Sequence, residues 1–188
     1  MRKREKDTIR YRIYSVFMRY AILILISFSN LWIFYLFLTP LTVYPVYFLL
    51  NLFFDINLSG NIIFFLSHNF SVEIIEACIA GYAYYLLTIL VFSTPKIKLN
   101  KRIKMLAFSF SVLLIINILR IVILLPVYIY SPNLFDILHK ISWYFLSVIL
   151  VVGIWFFEVK KFKIKEIPFY SDLKFLSKQI KFKKTVHK

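Results

Sequence analysis

Long apolar runs alternate with short polar segments along most of the chain. Four of the runs are long enough to cross a bilayer as helices, which takes about 20 residues. They cover Tyr20–Leu38, Ile74–Phe92, Met105–Tyr128 and His139–Phe157. A fifth run, Leu41–Phe54, is shorter and contains Pro45, so it predicts a re-entrant or interfacial half-helix. The pattern therefore predicts an all-α, polytopic transmembrane helix bundle with four spans and one short helix.

The positions of lysine and arginine predict how this bundle is oriented. Seven of these residues precede the first predicted span, five lie in residues 96–104, and ten follow Phe157, whereas residues 20–95 contain none. Basic loops stay on the cytoplasmic side, so both termini and the 93–104 loop are expected inside, and the number of spans must be even. Residues 39–73 and 130–138 then face the exterior.

The same pattern divides the chain into three parts. Residues 1–19 form a basic cytoplasmic N-terminus, residues 20–157 a transmembrane core, and residues 158–188 a basic, amphipathic cytoplasmic tail. Lysines alternate with apolar residues in this tail, which suits the anionic cytoplasmic surface of a membrane. A tail that acts only as a positive-inside signal fits equally well. Membrane lipids are therefore expected partners.

Composition supports the membrane assignment and excludes several classes of function. Hydrophobic residues make up 61% of the chain and the mean hydropathy is +0.76, whereas soluble domains are roughly 45–50% apolar. The net charge of +15 is concentrated outside the apolar runs, so nucleic acid is not expected as a partner. There are only three glycines and no phosphate-binding loop, so no cofactor is predicted.

One arginine lies inside a predicted span. Arg120 stands in the run NILRIVILLPVY, where insertion of a charged side chain costs at least about 2.5 kcal/mol. Such a charge must face the bundle or a water-filled pocket, and Asn117 lies on the same helix face, three residues earlier. Glu73 and Glu76 are the expected counter-charges, because the third span contains no acidic residue.

The predicted topology places two further reactive residues at the level of Arg120. Cys78, the single cysteine, lies near the outer end of the second span, and His139 opens the fourth. A thiolate is a nucleophile that a nearby cation activates. Histidine exchanges protons near neutral pH, and arginine can stabilise a developing oxyanion. Cys78, Arg120 and His139 are therefore candidate catalytic residues, with Glu76 and Asn117 in support.

These residues resemble the motifs of the exosortase/archaeosortase family. Glu76–Tyr82 resembles the family's cysteine motif, Asn117–Arg120 its arginine motif, and His139 its third position, which is Arg or His. The resemblance covers residues 71–157 and is closest to a compact, archaeal member. Here Gly81 follows the cysteine one place later than the glycine of many members, and many members have more spans.

The resemblance implies a membrane-embedded cysteine transpeptidase. It implies substrates that are exported surface proteins carrying a C-terminal motif, a hydrophobic helix and a basic end. Cleavage would occur on the extracytoplasmic side of the cell membrane through a thioester on Cys78, with transfer to an acceptor such as a lipid. The resemblance further implies that Arg120 donates the proton and that His139 stabilises the transition state.

Two other interpretations are compatible with the sequence. In one, the protein is a non-catalytic membrane module, a carrier or an assembly factor, and Arg120 is a structural or anion-binding charge. In the other, His68, Cys78 and His139 form an exterior metal site. Their spacing matches no zinc motif and Arg120 would repel a cation, so no metal is predicted.

Overall fold

The computed structural model describes residues 3–28, 31–68, 70–95 and 97–164, together with residues 168, 170, 172 and 177. Its helices are α1 (Lys3–Phe28), α2 (Trp32–Leu50), α3 (Glu76–Ile79), α4 (Gly81–Ser93), α5 (Leu99–Tyr130), α6 (Pro132–Ile141) and α7 (Ser147–Lys161). Its strands are β1 (Ile56–Ser59), β2 (Ile62–Phe65) and β3 (Phe70–Glu73). A 3₁₀ turn covers Leu66–His68 and a π-helical segment covers Ser142–Leu146.

The 32-residue helix α5 lies at the centre of the fold. It packs against α2, α4, α6 and α7, and its buried residues include Leu113, Ile121 and Leu125. Within the described ranges it is the one single helix long and apolar enough to cross a membrane. The predicted span Met105–Tyr128 is therefore confirmed as one uninterrupted helix. The pair α6–α7 meets the same criterion only if its 41° bend is counted as part of one span.

Two of the predicted spans are each divided between two helices. The run Tyr20–Leu38 falls on α1 and α2, and Leu31 has a φ of 56° immediately before α2. The run Ile74–Phe92 falls on α3 and α4, and Ala80 between them has a φ of 61°. A left-handed residue cannot continue a right-handed helix, so the prediction of one continuous helix in each run is wrong.

The predicted half-helix over Leu41–Phe54 is also wrong, because α2 continues through Pro40 and Pro45 to Leu50. A proline inside a helix removes a hydrogen bond and costs about 3 kcal/mol. Val46 and Leu50 on this helix are almost fully buried in the core. We attribute the persistence of the helix to this packing.

Residues 56–73 form a three-stranded antiparallel sheet, so the all-α prediction is wrong for this segment. The strand order is β1-β2-β3, and Ile56 pairs with Phe65, which pairs in turn with Phe70. The turn between β1 and β2 has Gly60 at a φ of 63°, a conformation that glycine adopts without strain. Ile63 and Phe65 are buried against the helices.

The predicted fourth span does not begin at His139. That residue lies in the last turn of α6, a helix without buried residues that replaces most of the predicted exterior loop 130–138. The chain then passes through the π-helical segment into α7, which ends at Lys161. Most of the predicted tail, 158–188, lies outside the described residues. Asp172 is described, and it forms a 2.6 Å ion pair with Arg19.

Candidate functional site

Three helices and one strand enclose a cavity of about 210 Å³. Cys78 on α3, Arg120 on α5 and His139 on α6 all line it. The structure thus brings the three candidate catalytic residues to one place, although they are 19 or more positions apart in the chain. Most of the remaining wall is apolar and includes Ile75, Ile121, Leu124, Leu125 and Phe135.

Cys78 lies in a short helical turn between two abrupt changes of backbone direction. β3 ends at Glu73, and α3 begins three residues later. The Cys78 N–H donates a 2.8 Å hydrogen bond to the Ile75 carbonyl. On the other side, the left-handed Ala80 ends α3. The half-buried Cys78 is therefore held at a corner of the chain rather than along a continuous helix.

Side chains from two other elements donate hydrogen bonds to the carbonyls of α3. Asn117 Nδ2 lies 2.8 Å and Arg120 Nη2 3.2 Å from the Cys78 carbonyl oxygen, and Trp143 Nε1 lies 3.2 Å from that of Ala77. A four-residue helix leaves its terminal carbonyls without intrahelical partners. These three donors replace those partners, and they fix the corner containing Cys78 against α5 and the π-helical segment.

The expected counter-charges of Arg120 are not its partners. Among the described residues, neither Glu73 nor Glu76 forms an ion pair with it. Glu73 instead accepts a 3.0 Å hydrogen bond from Asn61 Nδ2 at the base of the hairpin. The Arg120 guanidinium is stabilised by a backbone carbonyl dipole, so that prediction is wrong. A guanidinium has five N–H donors, and only Nη2 is used in this bond.

His139 reaches the cavity from α6. Its ring stacks on that of Phe135, with 5.2 Å between the ring centroids, which sets the orientation of the imidazole. On the exposed side of the same helix, Lys140 forms a 3.0 Å ion pair with Asp136. His139 is thus carried by a helix that packs against α5 but has no fully buried residue of its own.

A larger cavity of about 330 Å³ lies beside α3 and α4. It is lined by Glu76, Tyr35, Ala83, Trp143 and Val148, among others. Glu76 therefore belongs to this neighbouring cavity rather than to the one lined by Cys78. A Cβ atom on Gly81 would lie 2.7 Å from the ring of Tyr35, which lines this cavity.

Two residues near the site were not predicted from the sequence. Trp143 supports α3, and the fully buried Tyr84 has a hydroxyl without a hydrogen-bond partner in the described part of the chain. No motif marks either residue, because both stand in apolar runs rich in aromatic side chains.

Within the described ranges, no group of three or more His, Cys, Asp or Glu side chains could hold a metal ion. The His68 side chain lies outside the described part.

Comparisons of the chain with protein-family models, with curated proteins and with solved structures found no match.

Proposed function

We propose that this protein is a membrane-embedded cysteine peptidase or transpeptidase whose nucleophile is Cys78. The observation that carries the proposal is the shared cavity of Cys78, Arg120 and His139, in which a thiol, a guanidinium and an imidazole meet. These three groups provide a nucleophile, a cation and a proton-exchanging base. Arg120 is further fixed to the backbone of the nucleophile itself.

The proposed reaction proceeds in two steps. The Cys78 thiolate attacks the scissile carbonyl, the C–N bond breaks, and the leaving amine takes a proton from Arg120 or His139. This leaves an acyl group bound to Cys78 as a thioester. An acceptor amine, hydroxyl or water then attacks the thioester, loses its proton to the residue that protonated the leaving amine, and releases the Cys78 thiolate. In the division of roles that the exosortase/archaeosortase resemblance implies, Arg120 is the proton donor and His139 stabilises the oxyanion.

The proposed substrates are exported surface proteins with a C-terminal motif, a hydrophobic helix and a basic end. The multi-pass topology is part of the proposal: α5 supplies one crossing, and the basic segments keep both termini and the 93–104 loop in the cytoplasm. Cleavage then takes place on the extracytoplasmic side. Substrate and acceptor follow from the resemblance alone, and a lipid is one acceptor of this kind.

The proposal is tested by substitution in the native host. Cys78→Ala, Cys78→Ser and Arg120→Ala should each abolish processing of exported proteins that carry such a C-terminal signal, measured as the ratio of intact to cleaved forms by mass spectrometry. Gly153→Ala is the control, because nothing lies within 4 Å of the added methyl group. Unchanged processing in all three variants contradicts the proposal.

One observation favours a second candidate, a non-catalytic membrane module. Asn117 and Arg120 donate hydrogen bonds to the Cys78 carbonyl, which is a structural role that needs no reactive thiol. The two candidates differ in the chemistry of the single cysteine. A thiol reagent added from outside labels Cys78 in the peptidase, and leaves it unmodified if it is only a packing residue.

A further inference from the structure

The strand that leads into the nucleophile is at the edge of its sheet. β3 is bonded to β2 on one side, and no further strand pairs with it among the described residues. Its last residue, Glu73, comes five residues before Cys78 in the sequence. Edge strands present rows of backbone donors and acceptors that can pair with another extended chain.

The register identifies which backbone groups point away from the sheet. Ile74 N–H donates a 2.9 Å hydrogen bond to the Asn61 carbonyl, just beyond the ladder in which Ile63 pairs with Val72. Hydrogen-bonded pairs recur at every second residue of an antiparallel ladder. Val72 and Phe70 therefore bond to β2, and the N–H and C=O groups of Ser71 and Glu73 point outward.

The two edges of the sheet differ in whether these outward groups are occupied. By the same register, Leu58 on β1 points its N–H outward, and Asn57 Oδ1 accepts a 2.9 Å hydrogen bond from it. No corresponding bond reaches the outward backbone groups of Ser71 or Glu73 from the described chain. Ser71 and Glu73 are both exposed. The edge near the nucleophile is thus the open one.

The open edge continues into the cavity that holds Cys78. Val72 and Glu73 line that cavity together with Cys78, Arg120 and His139. A chain paired with β3 would therefore pass directly beside the thiol. Its side chains would alternate in direction, and every second one would meet the apolar wall of the cavity.

We propose that β3 binds an extended segment of the substrate polypeptide as a fourth strand, through the backbone of Ser71 and Glu73, and so presents the scissile carbonyl to Cys78. This inference rests on the proposed peptidase function. It adds the binding mode: main-chain hydrogen bonds supply affinity, and the apolar cavity wall selects apolar side chains at alternate positions. An extended conformation is also the one in which a peptide carbonyl is accessible to a nucleophile.

A peptidyl chloromethyl ketone tests this binding mode. In the labelling reaction the Cys78 thiolate displaces chloride and a thioether forms. The full-length protein in detergent is treated with acetyl-Ala-Val-Ala-Val chloromethyl ketone, with the acetyl-Val analogue, and with iodoacetamide. We expect the tetrapeptide to react about tenfold faster than the single-residue analogue, the effect of one or two net hydrogen bonds. N-methylation of the peptide amides that face β3 should remove this advantage, whereas N-methylation of the alternate amides, which face away from β3, should preserve it.

Two variants locate the effect on β3. Ser71→Pro removes an outward N–H, which an edge strand tolerates, and should abolish the tetrapeptide advantage, whereas Ser71→Ala should retain it. Equal labelling rates for the two peptide reagents, or a tetrapeptide rate that N-methylation does not change, overturn the inference. If iodoacetamide still labels Cys78 in that case, the proposed function stands. A thiol that is inert to all three reagents overturns both.

Discussion

Two arginines on one helix, one buried and one half-buried, show different uses of the same residue type. Arg102 and Arg120 both belong to α5 and are five helical turns apart, so they lie on the same face, roughly 27 Å from each other. This separation is close to the thickness of the hydrocarbon core of a bilayer, about 30 Å. Each arginine binds backbone carbonyls of the chain segment packed against its end of α5.

The Arg102 guanidinium uses four of its five N–H donors on backbone carbonyls. It donates four hydrogen bonds of 2.6–3.2 Å to the carbonyls of Val91, Phe92, Thr94 and Ile97, and only 7% of the residue is exposed. These carbonyls lie at and just beyond the C-terminal end of α4, where cations are stabilised by the helix dipole. Arg102 therefore stabilises the loop that connects α4 to α5.

Arg120 makes one described hydrogen bond to a carbonyl, and its side chain lines a cavity. Its remaining donors are thus available to a ligand. The comparison indicates that burial of a charge does not by itself mark a functional site. What distinguishes Arg120 is that most of its donors have no partner in the described part of the chain, in a cavity shared with a thiol and an imidazole.

The largest expected effect is a loss of substrate processing on substitution of Arg120. Arg120→Lys keeps the positive charge but loses the planar set of donors, and should reduce processing about 100-fold or more, the contribution of a correctly positioned proton donor. The thermal midpoint should change little. The measurement is processing rate per folded protein together with a melting curve. A wild-type processing rate in this variant would contradict the functional difference between Arg120 and Arg102.

The second prediction concerns stability. Arg102→Ala leaves the carbonyls at the end of α4 without their donor, and should lower the free energy of unfolding by about 3 kcal/mol. The remaining folded protein should process substrate at the wild-type rate. Denaturation in mild detergent, followed by the activity of the folded fraction, measures both quantities. A loss of activity without a loss of stability would contradict a structural role for Arg102.

A smaller effect on stability is expected at Gly81, three residues after Cys78. Gly81→Ala places a methyl group 2.7 Å from the buried Tyr35 ring, and overpacking of this kind costs about 1–3 kcal/mol. In Gly153→Ala the methyl group meets open space, and the helix gains up to about 1 kcal/mol. Unfolding curves of the two variants should shift in opposite directions, and equal shifts would rule out the contact with Tyr35 as the cause.

The sequence was most informative where one physical factor dominated. The uninterrupted apolar run predicts α5, and the distribution of lysine and arginine predicts that Cys78, Arg120 and His139 lie at one level of the membrane. The structure brings these three residues to one cavity. The helix breaks at Leu31 and Ala80 could not be predicted, because neither is a glycine or proline and only tertiary packing selects their left-handed conformation.

The sheet and the buried Arg102 were missed for different reasons. The charge pattern predicts only that residues 39–73 face the exterior, although Gly60-Asn61 followed by Ile-Ile-Phe-Phe is a hairpin signal. Arg102 was counted as a cytoplasmic loop charge, and a count of charges contains no information on which of them is buried. Trp143 supports Cys78 only because the π-helical segment brings the two together.

The most direct test of a thiol controlled by Arg120 is the rate at which iodoacetamide alkylates Cys78, the single cysteine in the chain. The rate is compared between the wild-type protein and Arg120→Gln, with Arg102→Gln as the matched control. A guanidinium beside the thiol favours the thiolate, so we expect Arg120→Gln to react several-fold more slowly and Arg102→Gln to react at the wild-type rate. Equal rates in all three folded proteins would contradict the account.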